Sequence, residues 1–352
     1  MIVSYYNKKD KCHYILDYSK GLKYVLSMED YQLLCNFSLE KSIFRKLTKN
    51  YFAKEDGEIK ENKIGFTLFD SPYIELDNLF LNDYDIDIVV MGFPYDLGAS
   101  QYRNSKFGPD ILRYTSTSIL DSNILNRIGI KIGDLGNIKG EFFKINGLEF
   151  NYLMKVIEFL VSIDKFPIVI GGDHSISFAT ITGVCDAMEE VGIIHFDAHQ
   201  DYLGLNVDKM DWKEKLNHSN FIDFILARKE ITSIVQIGVR NNFLSLSHPK
   251  IKTYGVEESI EKIDEILNSL NKNISYFITF DVDCLSTAIM KSTGTPVSGG
   301  FEFREISKIL RKVISTVKVV GMDLVELTNA EPLDSVTVNQ LLIDILTERC
   351  VK

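Results

Sequence analysis

Residues 192–201 read GIIHFDAHQD, an apolar run of strand length that finishes on two carboxylates and an imidazole, Asp197, His199 and Asp201. Such groups are costly to bury unless they are paired or bind a metal ion. The run therefore marks where a strand ends and what gathers there. Similar runs recur in IDIVVMGF (86–93), FPIVIGG (166–172), SIVQIGV (233–239), SYFITFD (275–281) and VVGMDL (319–324). They lack apolar/polar alternation, as strands buried on both faces do. Between them, LEFNYLMKVIEFLVSI (148–163), SIEKIDEILNSLNK (259–272) and FREISKILRKVISTV (303–317) carry apolar residues three and four apart, the spacing of amphipathic helices. This alternation predicts an α/β chain over residues 85–352, a mostly parallel sheet between two layers of helices.

Residues 1–84 break that rhythm and predict a small N-terminal α+β module. HYILD (13–17) and LKYVLS (22–27), around Lys20-Gly21, read as a hairpin; MEDYQLLCNF and LEKSIFRKLTKNYF read as two helices; KIGFTLF (63–69) reads as a further strand. The plainer reading of the module is an extension that packs on the core or on a neighbouring subunit.

Composition narrows the function classes. The chain has 352 residues, 45% of them hydrophobic and 25% charged, as ordinary globular proteins do. A formal net charge of -10 argues against a general nucleic-acid binder, which needs a surplus of Lys and Arg. No apolar run reaches membrane-spanning length, and MIVSYYNKKDKCHY meets charge before a signal-peptide core can form, so a cytoplasmic protein is expected. Cys12, Cys35, Cys185, Cys284 and Cys350 are odd in number, scattered and without a CxxC, which predicts reduced thiols rather than a disulfide framework or a thiolate zinc site. Cys284 stands out for its acidic neighbours.

In parallel α/β sheets ligands bind outside the carboxyl ends of the strands. Those ends carry Asp173-His174, Asp197-Ala198-His199-Gln200-Asp201, Asp281-Val282-Asp283 and Asp323-Leu324-Val325-Glu326. One such Asp is most often a cap or turn residue. Four carboxylate-rich ends repel one another unless something positive lies among them, most simply a pair of divalent ions. In an extended segment alternate side chains share a face, so Asp197, His199 and Asp201 can point together, as can Asp281 and Asp283. Asp and His without thiolate suit Mn²⁺ better than structural zinc. His195 reads as a packing or supporting residue.

GGDHS, DAHQD and FDVD, in this order, resemble the three metal motifs of the ureohydrolase family, which includes arginases, agmatinases and formimidoylglutamases. PYDLGASQYRNSKFGPDILR (94–113) is similar to that family's substrate-side loop, and the resemblance extends over about 86–340. It implies an arginase-like three-layer α-β-α fold, hydrolysis of C–N bonds in linear amidines, and two Mn²⁺ per subunit. By the family pattern His174, Asp197, Asp201 and Asp281 surround one ion, and Asp197, His199, Asp281 and Asp283 the other. Water activated between two cations is the implied nucleophile. Asp201 would hold it and pass its proton to the leaving amine, while His218, in KLNHSNF, shuttles protons. Glu326, in DLVEL, would pair with a guanidinium through bidentate hydrogen bonds. A homotrimer or homohexamer is the implied assembly.

The chain departs from the family pattern in two places. After Asp283 the motif's Asp-Pro and Ala-Pro-Gly elements are missing, although Thr293-Gly294-Thr295-Pro296 survives, so the wall beside the site is expected to be remodelled. Tyr202 and Leu203 stand where arginases and formimidoylglutamases place partners for an amino-acid end, and Leu203 offers nothing to a free α-carboxylate. The expected substrate lacks that end: arginine within a precursor peptide, converted to ornithine with release of urea. The N-terminal module is similar in pattern to winged-helix domains that hold leader peptides. Agmatine and free arginine are the alternative substrates, and a formimino compound a further one. A non-catalytic binding protein of the same fold is the reading outside enzymes, discounted because all six ligands are present.

Overall fold

The computed structural model of the protein describes residues 2–7, 12–17, 22–26, 66–76, 79, 85–119, 122–138, 148–240, 246–329 and 331–351. Strands β1 (Ile2–Asn7), β2 (Cys12–Asp17) and β3 (Leu22–Leu26) form a small antiparallel sheet in that order. The hairpin expected at 13–27 is β2 with β3, and β1 adds to it. The two helices predicted after it lie outside the described residues. The strand predicted at 63–69 does not form in its described part, where Leu68–Asp70 is a 3-10 turn. Asp134 Oδ2 and Ser116 Oγ take the amides of Leu68 and Phe69 at 2.9 and 2.8 Å, donors that a strand would have given to a neighbour.

The large sheet contains β4 (Ile88–Phe93), β5 (Ile132–Asn137), β6 (Phe166–Gly171), β7 (Val191–Phe196), β8 (Ile231–Ile237), β9 (Ile251–Tyr254), β10 (Ser275–Asp281) and β11 (Lys318–Val325). Its order is β5-β4-β6-β11-β10-β7-β8-β9, and every pairing is parallel. The described helices are α1 (Gly108–Ser116), α2 (Ser122–Arg127), α3 (Leu148–Ser162), α4 (Ser177–Ala187), α5 (Trp212–Lys215), α6 (Phe221–Leu226), α7 (Val256–Asn268), α8 (Phe303–Thr316) and α9 (Pro332–Val351). Among the described residues no helix is long and apolar enough to cross a membrane.

Alternate residues of each strand feed two separate cores. Ile88, Val90, Ile168, Ile170, Ile278 and Phe280 pack with α1, α7, α8 and α9 on one face. Val89, Met91, Val169, Ile193 and Phe277 pack with α3, α4 and α6 on the other. That double coverage explains why β4, β6, β7 and β10 are buried at every position and read as unbroken apolar runs. Helix α8 shows how the outer layers are specified. Ile306, Ile309, Leu310, Val313 and Ile314 repeat three and four apart on its buried side, and a capping box between Glu302 and Glu305 starts it.

Candidate metal centre

The sheet order sets the carboxyl ends of β6, β11, β10 and β7 side by side. The chain leaves β10 toward β11 and leaves β7 toward β8, in opposite directions, so a crevice opens between these two neighbours. Beyond β6, Gly172 is needed for close approach: a Cβ there would stand 1.6 Å from Tyr95 O. With no side chain in the way, Asp173 N donates to Tyr95 O at 2.7 Å, and Gly98 N donates back to Asp173 Oδ2 at 2.7 Å. The 94–113 loop is thereby tied to the strand end that carries His174.

His174, fully buried, meets three carboxylates. Its Nδ1 lies 2.9 Å from Asp197 Oδ2, 3.1 Å from Asp201 Oδ2 and 3.2 Å from Asp281 Oδ2. None of these contacts has hydrogen-bond geometry, and Nδ1 has no hydrogen-bond partner among the described residues. A second group adjoins the first: His199 Nδ1 is 3.3 Å from Asp197 Oδ1 and 3.0 Å from Asp283 Oδ2, another buried atom without a hydrogen-bond partner. Asp197 belongs to both groups, one oxygen facing each. Orphaned imidazole and carboxylate atoms converging in this way, with oxygen and nitrogen donors alone, fit a pair of divalent cations.

The local backbone differs from the extended segments expected. Strand β7 stops at Phe196, and Asp201 has a left-handed backbone, φ 48°. Gln236 Nε2 pins the turn by donating to Gln200 O at 2.6 Å. Asp283 sits in a 3-10 turn, Val282–Cys284, whose first amides are capped by Asp281: Asp283 N donates to Asp281 Oδ1 at 2.7 Å. The ligands converge because neighbouring strands bring them together, not because of a period of two along one strand. Asp323 is not at the cluster. It lies inside β11, fully buried, two residues short of the strand end.

His195 supports Asp197. Its Nδ1 accepts from Gln236 Nε2 at 3.0 Å, so its Nε2 is the donor toward Asp197 Oδ2 at 2.8 Å. Phe221 covers both buried imidazoles, 4.5 Å from the His174 ring and 5.7 Å from the His195 ring, and keeps water from that side. Gln236 and Phe221 have no motif signature. The hint at Gln236 is a polar residue interrupting an apolar strand.

Without cations the cluster is electrostatically strained. Burial alone would lower His174 and His199, yet the surrounding aspartates push both up, His199 to about 12. Burial would raise Asp197, but His195, His174 and His199 hold it well below the usual carboxylate range. Burial and the neighbouring carboxylates push Asp281 well up and Asp283 to about 6. Strong shifts with named charge partners inside a cleft mark a functional site. They also make Cys284 inert, its thiol pushed well above the usual range by burial and then by Asp283, Asp281 and Asp197.

Glu326 and His218 meet beside this cluster. Glu326, 1% exposed and left-handed at φ 63°, accepts the His174 amide through Oε1 at 2.9 Å. The same oxygen is 3.4 Å from His218 Nδ1. Ser100 on the 94–113 loop anchors the far side of that ring: its N–H donates to Nε2 at 3.2 Å, and its Oγ lies 2.9 Å from the same atom. Burial would lower His218, but Glu326 and then Asp201 raise it. Burial and the Glu326 charge push Asp173 up to about 7. Tyr202 and Leu203 lie outside the ligand cluster: the Tyr202 ring is 6.0 Å from that of His248, and Leu203 is 41% exposed.

A model of the arginase family matches residues 86–346. The agmatinase of Proteus mirabilis is 28% identical over 294 residues, covering 80% of this chain and 90% of that one. The agmatinase of Blochmanniella floridana is 30% identical over 254 residues, covering 68% of this chain and 80% of its own. Among solved structures, the proclavaminate amidino hydrolase of Streptomyces clavuligerus superposes with a TM-score of 0.68 at 23% identity, over 81% of this chain and 97% of the other.

Proposed function

The chain belongs to the arginase family and is therefore a hydrolase of C–N bonds in linear amidines; from that premise we propose that it releases urea from arginine side chains of a peptide. The observation that carries the reaction class is the double cluster sharing Asp197. His174, Asp197, Asp201 and Asp281 would hold one ion, and Asp197, His199, Asp281 and Asp283 the other, with Mn²⁺ suited to these donors. When bound, two such cations lower the pKa of water and stabilise negative charge developing at the reacting carbon.

The rest falls to the chain's own residues. Glu326, buried and acidic, draws in the guanidinium and fixes its plane by paired charge-assisted hydrogen bonds. Water adds to the guanidinium carbon and gives its first proton to Asp201, the least buried carboxylate of the first group. The bond from that carbon to the carrying nitrogen then breaks. Both protons of the water end on this nitrogen, the first returned by Asp201 and the second carried by His218, so the products are urea and a protonated amine.

Substrate choice rests on the stretch after Asp201. Asp223 takes the amides of Leu203 and Leu205 at 2.8 and 2.6 Å, so these donors are spent and cannot hold a free α-carboxylate. Outward the stretch is mixed: Leu203, Leu205 and Met210 are 41%, 37% and 38% exposed, beside exposed Asn206, Asp208 and Lys209. The small antiparallel sheet supports a peptide: among the described residues β1 and β3 each pair on one side, and an open strand edge can accept an extended chain. On this reading residues 1–84 form a peptide-holding module and 85–352 the catalytic domain, in a homotrimer or homohexamer. Agmatine is the second reading, favoured by relatives named agmatinase.

The test supplies the full chain with Mn²⁺ and measures urea from arginine peptides with and without a long N-terminal extension, from agmatine and from arginine. Ornithine formed in the extended peptide is the expected result. Turnover of agmatine alone establishes the second reading, and turnover of free arginine alone sinks both.

A further inference from the structure

A second polar row crosses the sheet one pleat below the metal ligands. Strand register sets Gln236 of β8 beside His195 of β7, His195 beside Thr279 of β10, and Thr279 beside Asp323 of β11. All four residues are fully buried. Two residues beyond His195 and Thr279 stand Asp197, just past the end of β7, and Asp281, the last residue of β10. Helix α4 closes over the Thr279 end of the row with Ser177 and Thr180.

Polar groups inside apolar strands are retained at a cost unless they are hydrogen-bonded, and each residue of the row has such a bond, although Asp323 Oδ1 has none. His174 Nε2 lies 2.9 Å from Thr279 Oγ1, which lies 3.0 Å from Ser177 Oγ. Both hydroxyls face the Asp323 carboxylate, and Thr180 Oγ1 donates to Asp323 Oδ2. With its hydrogen turned to Ser177, Thr279 Oγ1 keeps a lone pair free to take the hydrogen of His174 Nε2. With Nε2 held as a donor to Thr279, Nδ1 is the nitrogen left to serve an ion among Asp197, Asp201 and Asp281.

We propose that Thr279 and Asp323 are positioning residues for the metal centre, holding the His174 ring with Nδ1 turned to the ligand cluster and so setting how tightly an ion binds. The inference rests on the metal reading given above. Partners of this kind behind a ligating histidine typically change metal affinity about 10–100-fold when removed.

The experiment titrates Mn²⁺ alone into the metal-free full-length protein by calorimetry, with its melting transition recorded as a check of folding. Thr279→Val, which keeps the side-chain shape and loses the hydroxyl, weakens binding about 10–100-fold, while Thr279→Ser, which keeps the hydroxyl, stays within about threefold of wild type. Thr279→Val binding as tightly as wild type overturns the inference, as does Thr279→Ser weakened as much as Thr279→Val. Where Thr279→Val shows no melting transition, Asp323→Asn carries the test: a loss of about tenfold supports the inference and unchanged affinity overturns it. A wild type that binds no Mn²⁺ overturns the metal reading and this inference with it, whereas tight wild-type binding matched by both variants overturns this inference alone.

Discussion

Removing the Arg240 guanidinium should loosen the wall of the site without removing a metal-ligating side chain. Arg240 follows β8, and its backbone N–H donates to Ala198 O at 2.9 Å. Its Nη2 donates to Asp283 O at 2.7 Å, Val297 O at 2.9 Å and Leu285 O at 3.3 Å, and its Nε donates to Ser298 O at 3.1 Å. Among the described residues no carboxylate pairs with it. These carbonyls lie on both arms of the 283–298 loop, where the family's Asp-Pro and Ala-Pro-Gly elements are missing; a cation held among carbonyls stands in for proline stiffness. Hydrogen bonds to a charged group contribute about 1.5–3 kcal/mol each, and only the two short Nη2 bonds are counted, at the low end because the side chain is partly exposed. Arg240→Ala therefore costs about 3 kcal/mol of local stability, enough to speed opening by roughly a hundredfold. Hydrogen exchange at Ser286 and Phe301, whose amides close the base of the loop at 2.9 and 3.0 Å, reads that opening directly. Exchange at these two amides indistinguishable from wild type would refute the reasoning.

Three further outcomes are expected. Glu326→Gln keeps the shape but removes the charge that draws in a guanidinium, so kcat/KM falls by roughly two orders of magnitude, about 3 kcal/mol; an unchanged kcat/KM dismisses Glu326 as the anchor. Mn²⁺ binding should release protons at pH 7: burial would lower His199, but Asp197 and Asp283 push it to about 12 in the metal-free protein, and an ion must displace that proton. With the folded pKa above the unfolded 6.5, the stabilisation from His199 is full below pH 6.5 and drains as pH climbs toward about 12, so metal affinity rises with pH. Calorimetry in two buffers of different ionisation heat counts the protons, and a count of zero contradicts the cluster. For Asp283, pushed up to about 6 by burial and the Asp197 charge, the contribution is present below 3.8 and gone above about 6. Asp283→Ala should therefore abolish turnover while the metal-free protein melts no earlier than wild type at pH 8, and retained activity would remove Asp283 from the ligand set.

How much of this could be read from the chain depended on whether the physics was local. Six strands are plain as apolar runs because both of their faces are covered. The two strands that went unread, β5 and β9, are the sheet edges: IGDLGN carries Asp and two glycines, and IKTY has no fully buried position. The metal ligands are visible because carboxylates and imidazoles end strands that are otherwise apolar. Thr279 is not, and Asp323 reads only as one more strand-end carboxylate, because a lone polar residue inside ITF or GMD has no periodicity to mark its role, and its partners lie on other elements. Arg240 is equally silent, since most of its acceptors are backbone carbonyls more than forty positions away. Sheet order decides the rest. His174 N donates to a carboxylate 152 positions later because β11 enters the sheet between β6 and β10, rather than extending the run that begins with β7. No motif spacing encodes that insertion. It follows from two late strands finding their place between six earlier ones, so the donors can be named from the chain while their meeting depends on long-range pairing, the part of folding with the highest loop-closure cost.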